Sequence, residues 1–282
     1  MNPTILLIVA LTACAGEGSK PEGNDTVAPG GTGGDTAPVD ADGDGYPANE
    51  DCDDNAPWMW AGAEIRVGDV RLVTQDDVAA FCAGSCAVAV EGDLTLRGSM
   101  SDLSALSCLV SIRGSLLISQ SDTVGGDVQI DDGRALTSLS GLNALTSVGG
   151  SLYIDTNRRL TTLADLSSLS SVGGDLEIAE NDSLTTLTGL DALASVGGGM
   201  DIDENNVLTG LTGLDALRFI GGDLTIDYDL ELSSVDALFG LQRVGNDVEV
   251  AHNHALSTAD AKALVSVIDH IGGTVLITGD GS

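Results

Sequence analysis

The chain of 282 residues contains few aromatic and few basic side chains, and each shortage argues against a class of protein. Aromatic residues make up only 3% of the sequence, whereas sugar-binding sites usually present aromatic rings as flat stacking surfaces. Eleven Lys and Arg residues stand against 43 Asp and Glu residues, for a formal net charge of -32. Such a charge disfavours nucleic acid and anionic membrane surfaces as partners, and it favours cations or a basic partner.

The chain also has no apolar run long enough to span a bilayer. The run at 5–13 ends at Cys14 and has the length of a signal-peptide core. Residues Leu11-Thr12-Ala13-Cys14 resemble the lipobox of bacterial lipoproteins. The resemblance implies a signal peptide over 1–13, cleavage before Cys14 and a lipid on its sulfur that anchors the protein to a membrane. Ala15 after the cysteine favours export to the outer membrane and the cell surface; an ordinary secretory signal with an incidental cysteine is the alternative.

After Cys14, residues 14–39 are mostly Gly, Pro, Thr, Asp and Glu. A segment with so few bulky apolar side chains cannot offset the entropy lost on ordering, which predicts a flexible linker.

The segment 40–64 has the ligand spacing of a calcium loop. Carboxylates at Asp40, Asp42 and Asp44 occupy loop positions 1, 3 and 5, Tyr46 offers its carbonyl at position 7, and Asp51 stands at position 12. Carboxylates crowded this closely repel one another unless a cation lies among them. The pattern therefore predicts Ca²⁺ as a cofactor; an acidic linker without a bound ion is the alternative.

This segment also resembles the MopE-type metal-binding motif and the calcium repeats of thrombospondin type 3. The matching residues are Asp40-x-Asp42-Gly43-Asp44-Gly45-Tyr46-Pro47, then Glu50-Asp51-Cys52-Asp53-Asp54-Asn55-Ala56-Pro57 and Ala61-Gly62-Ala63-Glu64. The resemblance implies one calcium module ahead of the next domain.

The rest of the chain repeats with a period of 24 residues, which indicates stacked units. Taking Val148, Val172, Val196 or Ile220 as an anchor, apolar residues follow at positions +4 and +6, the spacing of one face of a strand. Leucines or other aliphatic residues return at +12, +15, +18 and +21, and Asn or Asp occupies +9. We expect the +9 side chains to bond backbone groups of neighbouring coils. The 12-residue step from Ile112 to Val124 breaks the period and predicts a half coil.

These features predict an all-β, right-handed β-solenoid over residues 65–282. Capping boxes that begin at Thr74 and Ser257 predict a short helix at each end of the array. The motif Leu-x-Ser-Val-Gly-Gly-Asp-Leu-x-Ile-x-x-Asn, seen best at 169–181, resembles the leucine-rich-repeat-like receptor L domain. That resemblance implies a β-solenoid fold and says little about a ligand, because receptor L domains bind partners through surfaces that vary.

Four cysteines remain if Cys14 carries a lipid, which predicts two disulfides in an exported chain. Cys86 and Cys108 each precede an anchor by four residues. Successive coils would place them about 5 Å apart, within disulfide range. The expected pairs are therefore Cys86–Cys108 and Cys52–Cys82.

Acidic residues recur at the outward strand positions +3, +5 and +7, and they form the candidate binding face. A screened surface that prevents aggregation is one interpretation, and a surface for cations or a basic partner is the other. The face comprises Asp127, Asp155, Asp175, Glu177, Asp201, Asp203, Asp223, Asp227, Asp247 and Glu249.

No nucleophile–base pair or phosphate-binding loop is recognisable, so the sequence predicts no enzyme. The leading expectation is a lipid-anchored binding or adhesion protein of the cell envelope, whose ligand is an unidentified protein or glycan that could be basic. A structural envelope protein without a discrete ligand is the second reading, and a polysaccharide-acting β-helix enzyme is the third.

Overall fold

Two parallel β-sheets, each of nine strands, are built by successive coils of the repeat. The computed structural model describes residues 64–83, 85, 87–98, 100–119, 136–279 and 281. Each coil contributes one short strand to a narrow sheet and one longer strand to a wide sheet. The narrow sheet contains β1 (Glu64–Arg66), β3 (Val88–Val90), β5 (Leu109–Ile112), β7 (Ser147–Val148), β9 (Ser171–Val172), β11 (Ser195–Val196), β13 (Phe219–Ile220), β15 (Arg243–Val244) and β17 (His270–Ile271).

The wide sheet alternates with the narrow one along the chain. It contains β2 (Val70–Leu72), β4 (Leu94–Arg97), β6 (Leu116–Ser119), β8 (Leu152–Asp155), β10 (Leu176–Ala179), β12 (Met200–Asp203), β14 (Leu224–Asp227), β16 (Val248–Ala251) and β18 (Val275–Thr278). Three 3₁₀ turns, at Ser104–Leu106, Ala164–Leu166 and Asp236–Gly240, lie on the return side of their coils. The β-solenoid expected from the period is therefore confirmed, and its first strand starts at Glu64, one residue before the expected boundary.

The period of 24 residues aligns equivalent positions in neighbouring coils. Leu176 lies opposite Met200 and Ile178 opposite Ile202 in the wide sheet, so apolar inward side chains stack on apolar side chains of the next coil. These positions and the leucines of the return side are almost fully buried in one continuous core. Because every coil buries its apolar face against the next, the fold gains its stability from stacking.

From Val148 onward, a glycine follows each anchor because neighbouring backbones approach closely at that corner. A Cβ atom on Gly197 would lie 2.2 Å from the carbonyl oxygen of Gly173 in the preceding coil. Only glycine fits there without moving the backbone.

The irregular 12-residue step expected from Ile112 to Val124 lengthens one coil and adds no rung of its own. Ile112 pairs directly with Val148 in the narrow sheet, and Leu116 pairs with Leu152 in the wide sheet. That coil is 36 residues long instead of 24, so Val124 is not the anchor of a rung between them. Residues 120–135 of this coil lie outside the described residues.

Helices form at both predicted places. Helix α1 (Gln75–Phe81) begins after Thr74, whose hydroxyl accepts from the N–H of Asp77 while the Asp77 carboxylate accepts from the N–H of Thr74. Helix α2 (Thr258–Val267) begins after Ser257, whose side chain accepts from the N–H of Asp260. Both caps satisfy amides that a helix leaves free at its first turn.

The disulfide pairing predicted from the repeat is wrong. Cys82, at the end of α1, is bonded to Cys108, with a Cα–Cα distance of 5.8 Å. The expected pairs Cys86–Cys108 and Cys52–Cys82 are therefore both excluded, since each sulfur forms one such bond. A register shift between β3 and β5 explains the error: Val88 pairs with Leu109 but Ala89 pairs with Ser111, so one strand carries an extra residue. The prediction assumed an unbroken register, and Cys52 and Cys86 lie outside the described residues.

Candidate binding surface

The outward side of the wide sheet carries a cluster of carboxylates from positions +5 and +7. Register places Glu177 beside Asp201 and Asp203 beside Asp227, and neighbouring parallel strands lie about 4.8 Å apart. All the described members are half-buried between their neighbours. We call this set the acidic face: Asp155, Glu177, Asp201, Asp203, Asp227 and Glu249.

Crowding and partial burial make it costly to ionise this surface. Burial, together with the neighbouring carboxylates Asp155, Asp201 and Asp175, raises the pKa of Glu177. Burial, followed by the charges of Asp227 and Glu249, raises the pKa of Asp201. Asp203 is the most affected, because burial and the charges of Glu204, Asp201 and Asp227 raise its pKa to about 6. Like charges on this face therefore oppose one another's ionisation.

Two carboxylate oxygens of the acidic face have no hydrogen-bond partner among the described residues. They are Oδ1 of Asp201 and Oδ1 of Asp203, both almost fully shielded from solvent. A buried acceptor without a donor is unfavourable by about 1–3 kcal/mol. A cationic ligand laid on the face would offset the charge of these two carboxylates.

Position +3 has a structural role that the sequence analysis missed. The Asp175 carboxylate accepts from the N–H of Gly199 at 2.8 Å, and the Asp223 carboxylate accepts from the N–H of Asp247 at 2.9 Å. The Asp247 carboxylate in turn accepts from the N–H of Thr274. These three acids therefore tie one coil to the next at the margin of the acidic face. Asp127, the remaining predicted member of the binding face, lies outside the described residues.

Beside the acidic face, a groove of about 480 Å³ runs along the corner between the two sheets. Glu177, Asp201, Tyr153 and Thr225 line it from the wide sheet. Gly199 occupies position +3 at its centre, where neighbouring coils have Asp175 and Asp223. It has no side chain to accept from the N–H of Asp223, so one link of the inter-coil ladder is missing inside the groove.

The side chains at position +9 form the buried ladder predicted from the sequence. Asn157, Asn181, Asn205, Asp229 and Asn253 are fully buried. The backbone N–H of each of the first four donates to the side-chain oxygen of the next coil, as from Asn181 to Asn205 at 3.2 Å. The amide groups also donate to backbone carbonyls, as from Asn205 Nδ2 to Ile178 O at 2.8 Å.

Asp229 departs from this ladder because it has no amide to donate. Its Oδ1 accepts from the N–H of Asn205 at 2.8 Å, but its Oδ2 has no partner among the described residues. Burial is the main cause that raises the pKa of Asp229 to about 7, against the lowering effect of the hydrogen bonds from Asn205. The like charges of Asp203 and Asp201 raise it further.

The residues at position +8 have a left-handed backbone conformation, which no residue pattern in the sequence predicted. Thr156, Glu180, Glu204, Tyr228 and His252 have φ between 53° and 58°. The turn brings the Tyr228 and His252 rings into a stack with centroids 4.4 Å apart. His252 Nδ1 lies 2.8 Å from Asp227 Oδ1, so Asp227 of the acidic face has a side-chain partner.

The predicted calcium ligands Asp40, Asp42, Asp44, Tyr46 and Asp51, and the predicted lipidation site Cys14, all lie outside the described residues. Within the described ranges, no three His, Cys, Asp or Glu side chains are arranged to hold a metal ion. The described helices include none that is long and apolar enough to cross a membrane. The chain matches no protein-family model, no curated protein and no solved structure.

Proposed function

We propose that this chain is a non-enzymatic binding protein of the cell envelope whose acidic face binds a cationic segment of a partner. The observation that carries the proposal is the row of half-buried carboxylates on the wide sheet, two of which keep buried oxygens unpartnered. A solvated surface that served only to prevent aggregation would not need to bury charged groups at this cost.

The shape of the surface favours an extended basic partner over a single bound ion. Carboxylates repeat from strand to strand at about 4.8 Å, over the five coils from β8 to β16. No metal-binding arrangement occurs in the described part of the chain. Lys and Arg side chains of a partner protein can meet successive coils, and Arg can donate to two oxygens of one carboxylate.

The groove beside Gly199 gives such a partner one place to insert a side chain. Glu177 and Asp201 supply negative charge in this groove, while Tyr153 and Thr225 supply hydroxyl groups. A guanidinium group there would reach charged and neutral acceptors together. We therefore place the centre of the binding surface at the coils of β10 and β12.

The N-terminal features complete the proposal. The lipobox-like residues around Cys14 support lipid anchoring at the outer membrane, and the calcium-loop spacing from Asp40 to Asp51 supports a Ca²⁺ module between anchor and solenoid. The resemblance of the repeat to receptor L domains supports recognition through a solenoid surface. A structural envelope protein without a discrete ligand is the alternative.

Titration of a short Arg- and Lys-rich peptide as the probe distinguishes a binding protein from a structural protein without a ligand. We expect saturable binding that weakens with added salt, because exposed charges are screened within about 10 Å at 0.1 M. Replacing Glu177→Gln, Asp201→Asn and Glu249→Gln together should weaken binding about tenfold, if each charge contributes about 0.5 kcal/mol.

A matched control removes three exposed acids elsewhere: Asp76→Asn, Glu231→Gln and Asp269→Asn. Both triple variants have the same net charge, so a difference between them reports the surface and not the total charge. Equal weakening in the two variants would refute a discrete acidic binding face.

A further inference from the structure

The column of side chains at position +3 links successive coils, and one link is missing among the described coils. An Asp or Ser oxygen of one coil accepts from the backbone N–H at position +3 of the next coil, as Ser151 does from Asp175 at 2.9 Å. Seven such links are present along the described coils. The missing link lies between Gly199 and Asp223, because Gly199 has no side chain to accept from the Asp223 N–H.

The fold does not require a glycine at position 199. At the two corner positions before it, a Cβ atom on Gly197 would lie 2.2 Å from a carbonyl oxygen, and one on Gly198 would lie 2.1 Å from a carboxylate oxygen. A Cβ atom on Gly199 would meet nothing closer than 3.5 Å, and Gly199 is not among the described glycines with a positive φ. Neither a close backbone nor a left-handed conformation explains this glycine beside a strand, which leaves close approach of a ligand as its reason.

The missing link leaves a backbone donor open in the groove. The N–H of Asp223 donates to no residue that the structure describes, and both Asp223 and Gly199 line the groove. A Cβ atom on Gly199 would lie 3.7 Å from this nitrogen, so an acceptor atom placed slightly beyond it would be within hydrogen-bond distance. The groove therefore has room for an acceptor that a ligand brings to this N–H.

The charges around this donor select a neutral acceptor that lies close to a cation. Asp175, Glu177 and Asp201 also line the groove, so an anionic acceptor would meet like charges. A peptide carbonyl is neutral, and the residue that provides it can also carry a cationic side chain. Glu177 and Asp201 stand at position +5, two residues and about 7 Å along the strand from position +3. An Arg or Lys side chain spans that distance from its own backbone.

We propose that the N–H of Asp223 binds a main-chain carbonyl of the partner peptide, next to a basic side chain that pairs with Glu177 or Asp201. This inference rests on the proposed function and adds to it the part of the partner that the groove recognises. The peptide oxygen takes the place of the side chain that Gly199 lacks, and it completes the ladder between the coils of β12 and β14. The groove thereby distinguishes a basic peptide from a simple cation, which has no carbonyl to offer.

Hydrogen exchange of the Asp223 amide tests the donor directly. The measurement uses NMR on the full chain, with Cys14→Ser in every sample so that no acyl chain contributes. The saturating Arg- and Lys-rich peptide should slow exchange of this amide at least about tenfold, because a hydrogen-bonded amide must open before it exchanges. Butylguanidine carries a similar cation without a carbonyl. It should leave the exchange rate unchanged at concentrations that shift the side-chain signals of Glu177, and equal protection by the two probes would overturn the inference.

Two variants at position 199 isolate the role of the open donor. Gly199→Ser supplies an acceptor for the Asp223 N–H, as Ser151 does for Asp175, whereas Gly199→Ala adds a similar volume without an acceptor. Gly199→Ser should protect the Asp223 amide in the free chain. It should also weaken binding of the peptide at least about fivefold relative to Gly199→Ala, because the peptide carbonyl then finds its donor already paired.

The outcomes separate this inference from the proposed function on which it rests. Equal peptide affinities in the Ser and Ala variants would overturn the inference, while weaker binding on replacing Glu177, Asp201 and Glu249 would still support the acidic face. A parent chain that does not bind the peptide would overturn both. Protection of the Asp223 amide by a dextran oligosaccharide, and not by the peptide, would overturn the choice of a peptide as the occupant.

Discussion

Replacing Asp229 with Asn should stabilise the solenoid, because it restores a link that is interrupted in the buried +9 ladder of the described coils. In the other coils the Asn amide donates to a carbonyl of the preceding coil, as Asn181 does to Ile154 O at 2.9 Å and Asn253 to Ile226 O at 2.9 Å. The equivalent carbonyl for residue 229 is that of Ile202. A carboxylate offers no donor to this carbonyl, and it is charged where the other coils are neutral.

The size of the effect follows from the pKa of Asp229. Its pKa rises from 3.8 to about 7 on folding, which at about 1.4 kcal/mol per pH unit corresponds to about 4 kcal/mol. Between these two pH values the folded chain holds a proton that the unfolded chain has released. The free energy of unfolding therefore falls as pH rises from about 4 and levels off above about 7.

Asp229→Asn should remove this pH-dependent loss. Its gain in unfolding free energy should approach about 5 kcal/mol at pH 8, the sum of both effects, and shrink towards about 1 kcal/mol, one hydrogen bond, at pH 4. Urea denaturation followed by circular dichroism at pH 4, 6 and 8 measures it. The matched control is Asn205→Asp, which should introduce a comparable pH-dependent destabilisation one coil away. A gain that is absent at pH 8, or equal at all three pH values, would refute the reasoning.

Three further predictions concern the N-terminal part of the chain and its cysteines. Cys14→Ala should leave a protein that partitions into water; unchanged partitioning into detergent would exclude the lipobox interpretation. Non-reducing peptide mapping should recover Cys82 joined to Cys108. If Cys52 and Cys86, the two cysteines left besides Cys14, are paired, they should appear as one Cys52–Cys86 peptide. A Cys86–Cys108 peptide would contradict the fold at that rung. Calorimetry should find one Ca²⁺ site of about 10⁻⁴–10⁻³ M that is lost in Asp42→Ala/Asp44→Ala; identical titrations would leave the loop an acidic linker.

The stacked coils could be predicted from sequence because their cause is local and repeated. Inward positions such as Leu176 and Ile178 must be apolar in every coil, and Asn181 must bond the backbone of its neighbours. Both requirements therefore recur in the sequence with the period of the coils. The two end helices were predictable for a similar reason, since Thr74 and Ser257 act within a few residues of their own position in the chain.

The errors arose where one coil differs from the others. The extra residue in β5 lies between Cys108 and the anchor Ile112, so it shifted the register of Cys108 and changed the disulfide partner. Ile112 pairs directly with Val148, so Val124 does not mark a separate rung. A period averages over coils and carries no information about an irregularity in one of them.

The candidate surface was predicted in outline, but two of its features were not. The recurrence of Asp and Ser at position +3, as at Asp93, Ser115 and Ser151, was a visible signal for the inter-coil ladder, because both side chains can accept from a backbone N–H. The left-handed turn at position +8 gave no such signal. Residues as different as Thr156, Glu180 and Tyr228 adopt it, so the surrounding coils impose it.

Carboxylate footprinting locates the bound peptide and so tests the proposed function most directly. Carbodiimide labelling of the chain, read by mass spectrometry with and without the Arg- and Lys-rich peptide, reports the accessibility of each acid. Bound peptide should protect Glu177, Asp201 and Glu249 from labelling, whereas Glu231 and Asp269 should be labelled as before. Protection spread evenly over all acids, or confined to acids outside the wide sheet, would contradict it.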